Sequence, residues 1–337
     1  DCVPPCDFLL KTIPCFDDPG IGFLQTGIRY TNKDASFLTM FQAMESGHRQ
    51  YVTVGLHSGG FMASLSGTSC VWRRACIENV GGISAETITE DVDLGYRAQL
   101  QAWQYVFLRN VVSATELPAT ISAFRVQRER WARGLIHNAA RHVRAMFAAP
   151  MPAARRIYAI SLMFSSLLLA SFYMLILLAL PLTFATEQLG NFFDISCTLF
   201  LLAAITWACA NSVSGRQGAL FQRREPAMRP VLRVYAYVAM FLPLSLYYFC
   251  AAARVLAGLR GEFNRTPKGK NAARAHHPPI NTVLLLLELL TLAYALVTLS
   301  CALLERNYWV CLFSCIVCSG FAATVFLSWQ ERRAKQS

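Results

Sequence analysis

Four long apolar runs constrain this chain more than any other feature of its sequence. An α-helix needs about 20 apolar residues to cross the hydrocarbon core of a bilayer. The runs are 157–182, 195–213, 283–304 and 309–328. Charged residues make up 15% of the chain, whereas soluble domains carry about 25%. We therefore predict an integral membrane protein with four spans inside a membrane domain over 157–329. The same values exclude a disordered chain and an ordinary soluble enzyme.

The net charge of +11 is unevenly distributed along the chain. Residues 1–118 carry a net charge of −4, and residues 119–337 carry +15. The basic excess therefore belongs to the apolar part. This distribution argues against nucleic acid as a partner and for a lipid bilayer.

Lys and Arg cluster in three segments, 214–233, 254–280 and 332–335. Such clusters favour the cytoplasmic side of a membrane. A fifth apolar run, 234–256, contains Pro243 and lies between the first two clusters. If this run crossed the membrane, one basic cluster would lie outside. We predict that it lies in the interface or re-enters, with all three clusters and the C-terminus cytoplasmic.

The pattern of residues 1–118 is typical of a soluble α/β domain. Short apolar runs predict strands at 21–24, 51–54 and 105–108, and helical patterns predict helices at 37–46 and 90–103. Thr87, three residues before Glu90, predicts a capping box at the start of the second helix. Glu90 and Asp91 would then lie at a helix N-terminus.

A basic amphipathic helix is predicted between this domain and the first apolar run, within 119–150. Pro118 suits its first position. Apolar residues recur at helical spacing from Phe124 to Phe147, and Arg and His residues line another face. Such a helix lies on a membrane surface. The alternative is a helix that packs between domains and exposes a solvated basic face.

Three short patterns carry residues suited to chemistry. The first, Thr89-Glu90-Asp91 followed by Asp93, has two interpretations. The helix dipole favours acidic side chains at a helix N-terminus. Alternatively, a carboxylate in a cleft accepts a proton from an attacking hydroxyl.

The second pattern is Gln127-Arg128-Glu129-Arg130-Trp131, inside the basic helix. Its tryptophan is either an interfacial anchor or a platform on which a sugar ring stacks.

The third pattern is Phe263-Asn264-Arg265-Thr266-Pro267-Lys268. It is either a positively charged cytoplasmic loop or a mobile element that reaches a nucleotide diphosphate.

In this order and spacing, the chain resembles the processive family 2 glycosyltransferases, which include cellulose, hyaluronan and chitin synthases. It most resembles the cellulose-synthase-like β-glucan and β-mannan synthases. The stretches that carry the resemblance are 23–26, 66–68, 72–74, 81–82, 89–99, 116–118, 127–134 and 263–268. The implied fold is an α/β family 2 glycosyltransferase (GT-A-like) domain. Its C-terminal part alone would occupy 1–118, followed by an amphipathic interface helix and an α-helical membrane domain.

The resemblance implies a role for each member of the first pattern. Asp91 would be the general base that deprotonates the acceptor hydroxyl as it attacks the anomeric carbon of a nucleotide sugar. Glu90 and Thr89 would line the same pocket. The expected reaction is a one-step inversion from an α-linked donor to a β-linked polymer.

Further residues are expected to bind the acceptor and the nucleotide. Trp131 would stack on the terminal sugar, with Gln127 beside it, and Arg128 and Arg130 would face the diphosphate or the acceptor. A turn beside the acceptor would comprise Ser66, Gly67 and Thr68. A gating loop within 259–280 would close over the nucleotide through Phe263, Thr266 and Lys268. Arg265 stands where most of the family has a hydrophobic residue.

Asp1 matches the second aspartate of the family's Asp-x-Asp motif, which implies a ligand for Mg²⁺ or Mn²⁺ on the diphosphate. The first aspartate and the uridine-binding part would precede it, so we expect an N-terminally truncated sequence. The spans would form half of a polymer channel. Glu288, alone in its apolar run, would face this channel or a neighbouring helix.

The expected activity is transfer of a hexose, with UDP-glucose favoured, to the end of a growing β-glycan that is extruded through the inner, plasma or Golgi membrane. Alternatives are a GDP-mannose-dependent β-mannan synthase and a non-processive lipid glycosyltransferase. A non-catalytic transporter or membrane adaptor is a third. Partners would be the nucleotide sugar, the polysaccharide and the bilayer.

Overall fold

A computed structural model describes residues 2–218, 230–259 and 281–336. Within these residues, the N-terminal part is built on a four-stranded sheet in the order β1-β4-β2-β3. The strands are β1 Cys2–Val3, β2 Ile21–Tyr30, β3 Cys70–Trp72 and β4 Gln104–Thr115. The central strands β2 and β4 are parallel, and each edge strand is antiparallel to its neighbour. The first eight residues of β2 are all buried, as expected of a strand covered on both faces.

Four helices belong to this part, together with a 3₁₀ turn over Ile13–Asp17. They are α1 Phe8–Thr12, α2 Phe37–Ser58, α3 Arg74–Asn79 and α4 Glu90–Leu100. Two of the predicted strands are confirmed, within β2 and β4. The third prediction, a strand at 51–54, is wrong. That run lies in α2, which begins with a capping box between Ser36 and Thr39. A short apolar run cannot be assigned to strand or helix by periodicity alone.

Helix α4 begins at Glu90, as predicted, but its cap differs from the prediction. The N-cap residue is Thr89, and no side-chain hydrogen bond caps the helix. The predicted capping box with Thr87 is therefore wrong.

A 28-residue helix, α5 over Ile121–Ala148, connects the α/β part to the apolar helices. It begins after Thr120, whose hydroxyl accepts a hydrogen bond from the Ala123 amide at 3.3 Å. Pro118 therefore lies before the helix and not at its first position. Much of α5 is covered by protein, because Phe124 and Ile136 belong to one hydrophobic core shared with α2 and the apolar helices. A role for 119–150 at a membrane interface stays a prediction.

The remainder of the described chain is helical. The helices are α6 Ala153–Met163, α7 Ser165–Phe184, α8 Thr186–Leu189, α9 Asn191–Gly218, α10 Pro230–Leu256, α11 Thr282–Leu304 and α12 Tyr308–Gln336. Among the described residues, four helical segments are long and apolar enough to cross a membrane. They are Ser165–Phe184, Tyr237–Leu256, Thr282–Leu304 and Tyr308–Ala334.

This set differs from the predicted one in one member. Tyr237–Leu256 meets the criterion of length and composition, whereas the apolar part of α9, Asn191–Trp207, is shorter. Helix α9 packs along α2 of the α/β part. The interfacial placement of 234–256 stays a prediction, because length and composition do not say how a helix lies relative to a bilayer.

A buried ionic cluster ties α5 to the apolar helices. The Arg125 Nε atom donates to the Glu288 carboxylate at 3.0 Å, and its Nη2 atom donates to Ser328 at 2.8 Å. The Tyr247 hydroxyl donates to the same carboxylate. Glu288 is fully buried, so it faces α5 and α10 and not an open channel.

Candidate active site

A cleft of about 410 Å³ opens beside the N-terminus of α4. Its walls come from β1, from the segment that precedes β3, from β4 and from the first turn of α4. Side chains facing it include Cys2, Leu65, Ser69, Cys70, Glu90 and Asp91. The structure therefore places two of the three residues of the Thr-Glu-Asp pattern in the wall of one cavity.

The carboxylate of Asp91 lies against the backbone of Gly67, which has a φ of +63°. A Cβ atom at position 67 would overlap the Asp91 carboxylate. This contact brings the predicted base next to the predicted acceptor turn 66–68. Position 67 therefore favours glycine for two reasons, namely its left-handed backbone conformation and the space that the Asp91 carboxylate occupies.

Burial raises the pKa of Asp91 to about 6. The neighbouring charge of Glu90 adds to this rise, whereas backbone hydrogen bonds and the Arg130 guanidinium oppose it. A carboxylate with a pKa just below neutral is ionised at pH 7 and still accepts a proton readily. These are the properties that general base catalysis requires.

The turn over 66–68 is fixed to strand β2 by side-chain hydrogen bonds. The Gln25 amide nitrogen donates to the Ser66 hydroxyl at 2.6 Å, and the Ser66 backbone amide donates to Gln25 Oε1 at 3.4 Å. The hydroxyls of Thr26 and Ser69 share a hydrogen bond of 2.5 Å. The sheet thus sets the position of the turn that faces Asp91.

Thr89 occupies a packing position at the junction of α4 and α5. Its side chain is buried against the backbone of Gly134, where a Cβ would overlap it. Asn138 donates from Nδ2 to the Thr89 hydroxyl at 2.9 Å. Docking of α5 therefore fixes the start of α4, which carries Glu90 and Asp91.

Asp93 has a structural environment rather than a catalytic one. It is fully buried, and it accepts hydrogen bonds from Arg97 at 2.8 Å and from His142 at 2.7 Å. Arg141 lies 3.3 Å from the same carboxylate. Burial favours the neutral form, but the bonds from His142 and Arg97 outweigh it and hold the pKa of Asp93 below its ordinary value.

Trp131 is half-buried on α5, and two guanidinium groups lie over its ring. Those of Arg128 and Arg49 are 5.0 Å and 5.1 Å from the ring centroid. Arg128 itself is buried and forms a two-pronged ion pair with Glu45 of α2, with one bond of 2.6 Å. The structure thus differs from the expectation that Arg128 faces the diphosphate or acceptor, since its guanidinium is engaged by Glu45.

The other two predicted acceptor residues of α5, Gln127 and Arg130, differ in burial. Gln127 is buried in the packing of α5. Arg130 is half-buried, and its charge acts on Asp91. Glu129, which has no expected role, pairs with Arg133 at 2.5 Å and with Arg254 at the end of α10.

The expected metal and nucleotide ligands cannot be placed. Phe263, Thr266, Lys268 and Asp1 lie outside the described residues. Within the part of the chain that the structure describes, no group of three or more His, Cys, Asp or Glu side chains could hold a metal ion. The described residues therefore do not by themselves fit Mg²⁺ or Mn²⁺.

A four-stranded α/β sheet part with a carboxylate-lined cleft is thus joined by the largely buried helix α5 to apolar helices long enough to cross a membrane. Residues 1–327 match the family described as "Glycosyl transferase family group 2", and the chain belongs to this family. The expected family 2 glycosyltransferase fold class is confirmed, with an α/β part followed by a long helix and by apolar helices.

Curated relatives resemble one part of the chain. "Probable glucomannan 4-beta-mannosyltransferase 4" of Oryza sativa subsp. japonica is 38% identical over 138 residues, which are 40% of this chain and 25% of the relative. "Glucomannan 4-beta-mannosyltransferase 1" of Cyamopsis tetragonoloba and "Glucomannan 4-beta-mannosyltransferase 2" of Arabidopsis thaliana are each 36% identical over 137 residues, or 40% of this chain and 26% of theirs. The match thus spans about a quarter of the length of these relatives.

Among solved structures, a mannosyltransferase from Pyrobaculum calidifontis in complex with GDP-Man and Mn²⁺ is 12% identical, with a TM-score of 0.38. The similarity covers 77% of this chain and 60% of that one. At this level it says nothing further about the present chain.

Proposed function

We propose that this chain forms the acceptor-binding and membrane portion of an inverting hexosyltransferase that extends a β-glycan. The observation that carries the proposal is the contact of Asp91 with the Gly67 turn in the wall of the cleft. GDP-mannose is the proposed donor, because the similar curated relatives are named as mannosyltransferases. They favour this alternative over UDP-glucose, the donor expected in the sequence analysis.

Asp91 acts as the general base in the proposed reaction. Its carboxylate takes the proton of the acceptor hydroxyl while the hydroxyl oxygen attacks the anomeric carbon of the donor. The bond between that carbon and the diphosphate oxygen breaks, and the nucleoside diphosphate leaves. The configuration inverts in this single displacement. Because the pKa of Asp91 is about 6, most molecules have the ionised base at neutral pH.

The acceptor extends from the turn at 66–68 towards Trp131. Stacking on this ring would hold the terminal sugar, and Arg130, whose charge reaches Asp91, would face the diphosphate. Asp1 remains the proposed ligand for Mg²⁺ or Mn²⁺, and Thr266 and Lys268 remain proposed nucleotide contacts. No step is assigned to the metal.

The apolar helices would anchor the transferase and conduct the product. The transferase part and the C-terminus would be cytoplasmic, as the basic clusters indicate. The anchoring role is supported by four helical segments of spanning length within the described residues. The inner, plasma or Golgi membrane is the proposed location.

The test uses the full-length protein, with every residue of its open reading frame, in lipid nanodiscs. GDP-mannose and UDP-glucose are offered separately, and the product is sized and digested with linkage-specific glycanases. A polymer cleaved by β-mannanase supports the proposal, and a β-glucan would overturn the choice of donor. A single sugar on a lipid would overturn the polymerase. If neither the wild type nor Asp91→Asn transferred sugar from either donor, a non-catalytic adaptor would be favoured.

A further inference from the structure

Two charged side chains of α2, an element outside the three sequence patterns, lie near Trp131 and Arg128. Glu45 and Arg49 occupy one face of α2, four residues apart, and meet Arg128 and Trp131, three residues apart on α5. Glu45 and Arg128 are 83 positions apart in the chain. Helix α2 thus contributes directly to the surroundings of the proposed acceptor platform.

Arg128 is held on several sides. Both of its terminal nitrogens bond to the Glu45 carboxylate. Its guanidinium lies 4.8 Å from the Phe124 ring centroid and 5.0 Å from that of Trp131. A bidentate Arg–carboxylate pair fixes the plane of the guanidinium as well as its position. The plane of Arg128 therefore constrains the aromatic ring packed against it.

Glu45 also balances the local charge. Arg128, Arg49 and His48 all lie near enough to favour its ionised form. Without this carboxylate, the guanidiniums of Arg128 and Arg49, which both lie within about 5 Å of the Trp131 ring centroid, would repel each other. Removal of one partner from a buried ion pair leaves an uncompensated charge and is strongly destabilising. Removal of the Glu45 charge should therefore disturb the ring itself.

We propose that Glu45 is a positioning residue for acceptor binding, which acts through Arg128 to hold the indole of Trp131 in the orientation that stacks on the terminal sugar. The inference rests on the proposed function in taking the acceptor to be a β-linked oligosaccharide. It assigns to Arg128 an indirect role in place of a direct contact with the diphosphate.

The primary experiment measures acceptor binding without turnover. The full-length protein in nanodiscs is titrated with β-1,4-mannohexaose, and the Trp131 signal is obtained as the fluorescence difference between each protein and its Trp131→Phe counterpart. Glu45→Gln should shift this emission in the absence of sugar and weaken binding about tenfold, equivalent to about 1.4 kcal/mol. Glu45→Asp, which retains the charge, should recover part of the affinity.

Glu288→Gln is the matched control. It also leaves a buried arginine of α5 unpaired, but Arg125 is not among the guanidiniums over Trp131. It should lower the melting temperature without moving the Trp131 emission or the affinity for mannohexaose. If Glu288→Gln and Glu45→Gln change both signals alike, Glu45 has only a structural role and the inference is overturned. Equal behaviour of Glu45→Asp and Glu45→Gln would overturn it as well.

Turnover separates this inference from the proposed function. If wild type transfers mannose, Glu45→Gln should raise the KM for the acceptor about tenfold and leave the KM for GDP-mannose within about twofold. Equal changes in both constants would overturn the inference. If wild type binds mannohexaose through Trp131 but transfers no sugar, the proposed function fails and the inference stands. If wild-type Trp131 does not respond to mannohexaose or cellohexaose, the inference fails.

Discussion

The Gly67 backbone lies so close to the Asp91 carboxylate that a Cβ atom at position 67 would overlap it. Gly67→Ala should therefore push the carboxylate out of place. A displacement of about 1 Å at a reacting group costs about 10² in rate. We expect kcat of the full-length enzyme to fall by about that factor, with a smaller change in the KM for the donor.

Gly81→Ala provides the control for backbone strain. Gly81 has a φ of +85°, and no atom lies within 4 Å of the position its Cβ would take. Both substitutions strain a left-handed backbone position, but Gly67→Ala alone overlaps Asp91. If the two variants lost the same activity, the contact with Asp91 would have no specific role.

The pH dependence of kcat/KM should report the ionisation of Asp91. The base must be deprotonated to act, and burial raises its pKa to about 6. The rate should therefore rise tenfold per pH unit below about pH 6 and level off above it. Because the Arg130 charge opposes the rise in pKa, Arg130→Gln should move the midpoint to higher pH. A midpoint near 4 in the wild type would contradict the assignment.

Asp91→Asn and Asp93→Asn should change stability in opposite directions. The pKa of Asp91 is raised from 3.8 to about 6, so the ionised form destabilises the folded state increasingly as pH rises between these values. This difference corresponds to at most about 3 kcal/mol. Asp91→Asn should thus abolish turnover while it raises the melting temperature at pH 7.

Asp93 has the reverse linkage. Its pKa is held below the ordinary value, so it contributes stability above the unfolded pKa that is lost as pH falls through the folded one. Asp93→Asn would leave Arg97 and His142 without their carboxylate, a loss of about 3–5 kcal/mol for a buried pair. Thermal unfolding of both variants at pH 7 measures the contrast. A loss of stability in both would show that Asp91 is structural.

The sequence predicted those features that local patterns specify. The strands containing 21–24 and 105–108 follow from residues adjacent in the chain. Helix α4 does start at Glu90, but the capping box from which this start was predicted is not present. The run at 51–54 was misassigned because apolar residues over one helical turn resemble a short strand. Its true state depends on the capping of α2 some 15 residues earlier, at Ser36.

The contacts that escaped sequence analysis are pairs between distant elements, one beside Trp131 and one where α5 meets the apolar helices. Glu45 meets Arg128 across 83 positions, and Arg125 meets Glu288 across 163. Neither pair has a spacing that periodicity can reveal. The buried position of Arg128 had one local signal, because it lies four residues after Phe124 on the apolar side of α5. The family resemblance nevertheless implied that Arg128 faces the diphosphate or the acceptor.

The Arg125–Glu288 pair should be more important as a junction than as a source of stability. Both side chains are almost fully buried, so a single replacement strands a charge, whereas replacement of both by apolar residues of similar size is often neutral or stabilising. Glu288→Gln should therefore lower the free energy of unfolding by about 3 kcal/mol, and Arg125→Met/Glu288→Met should restore most of it. Thermal unfolding in nanodiscs measures both. A double variant as unstable as the single one would show that the ionic bonds themselves hold α5 against α11.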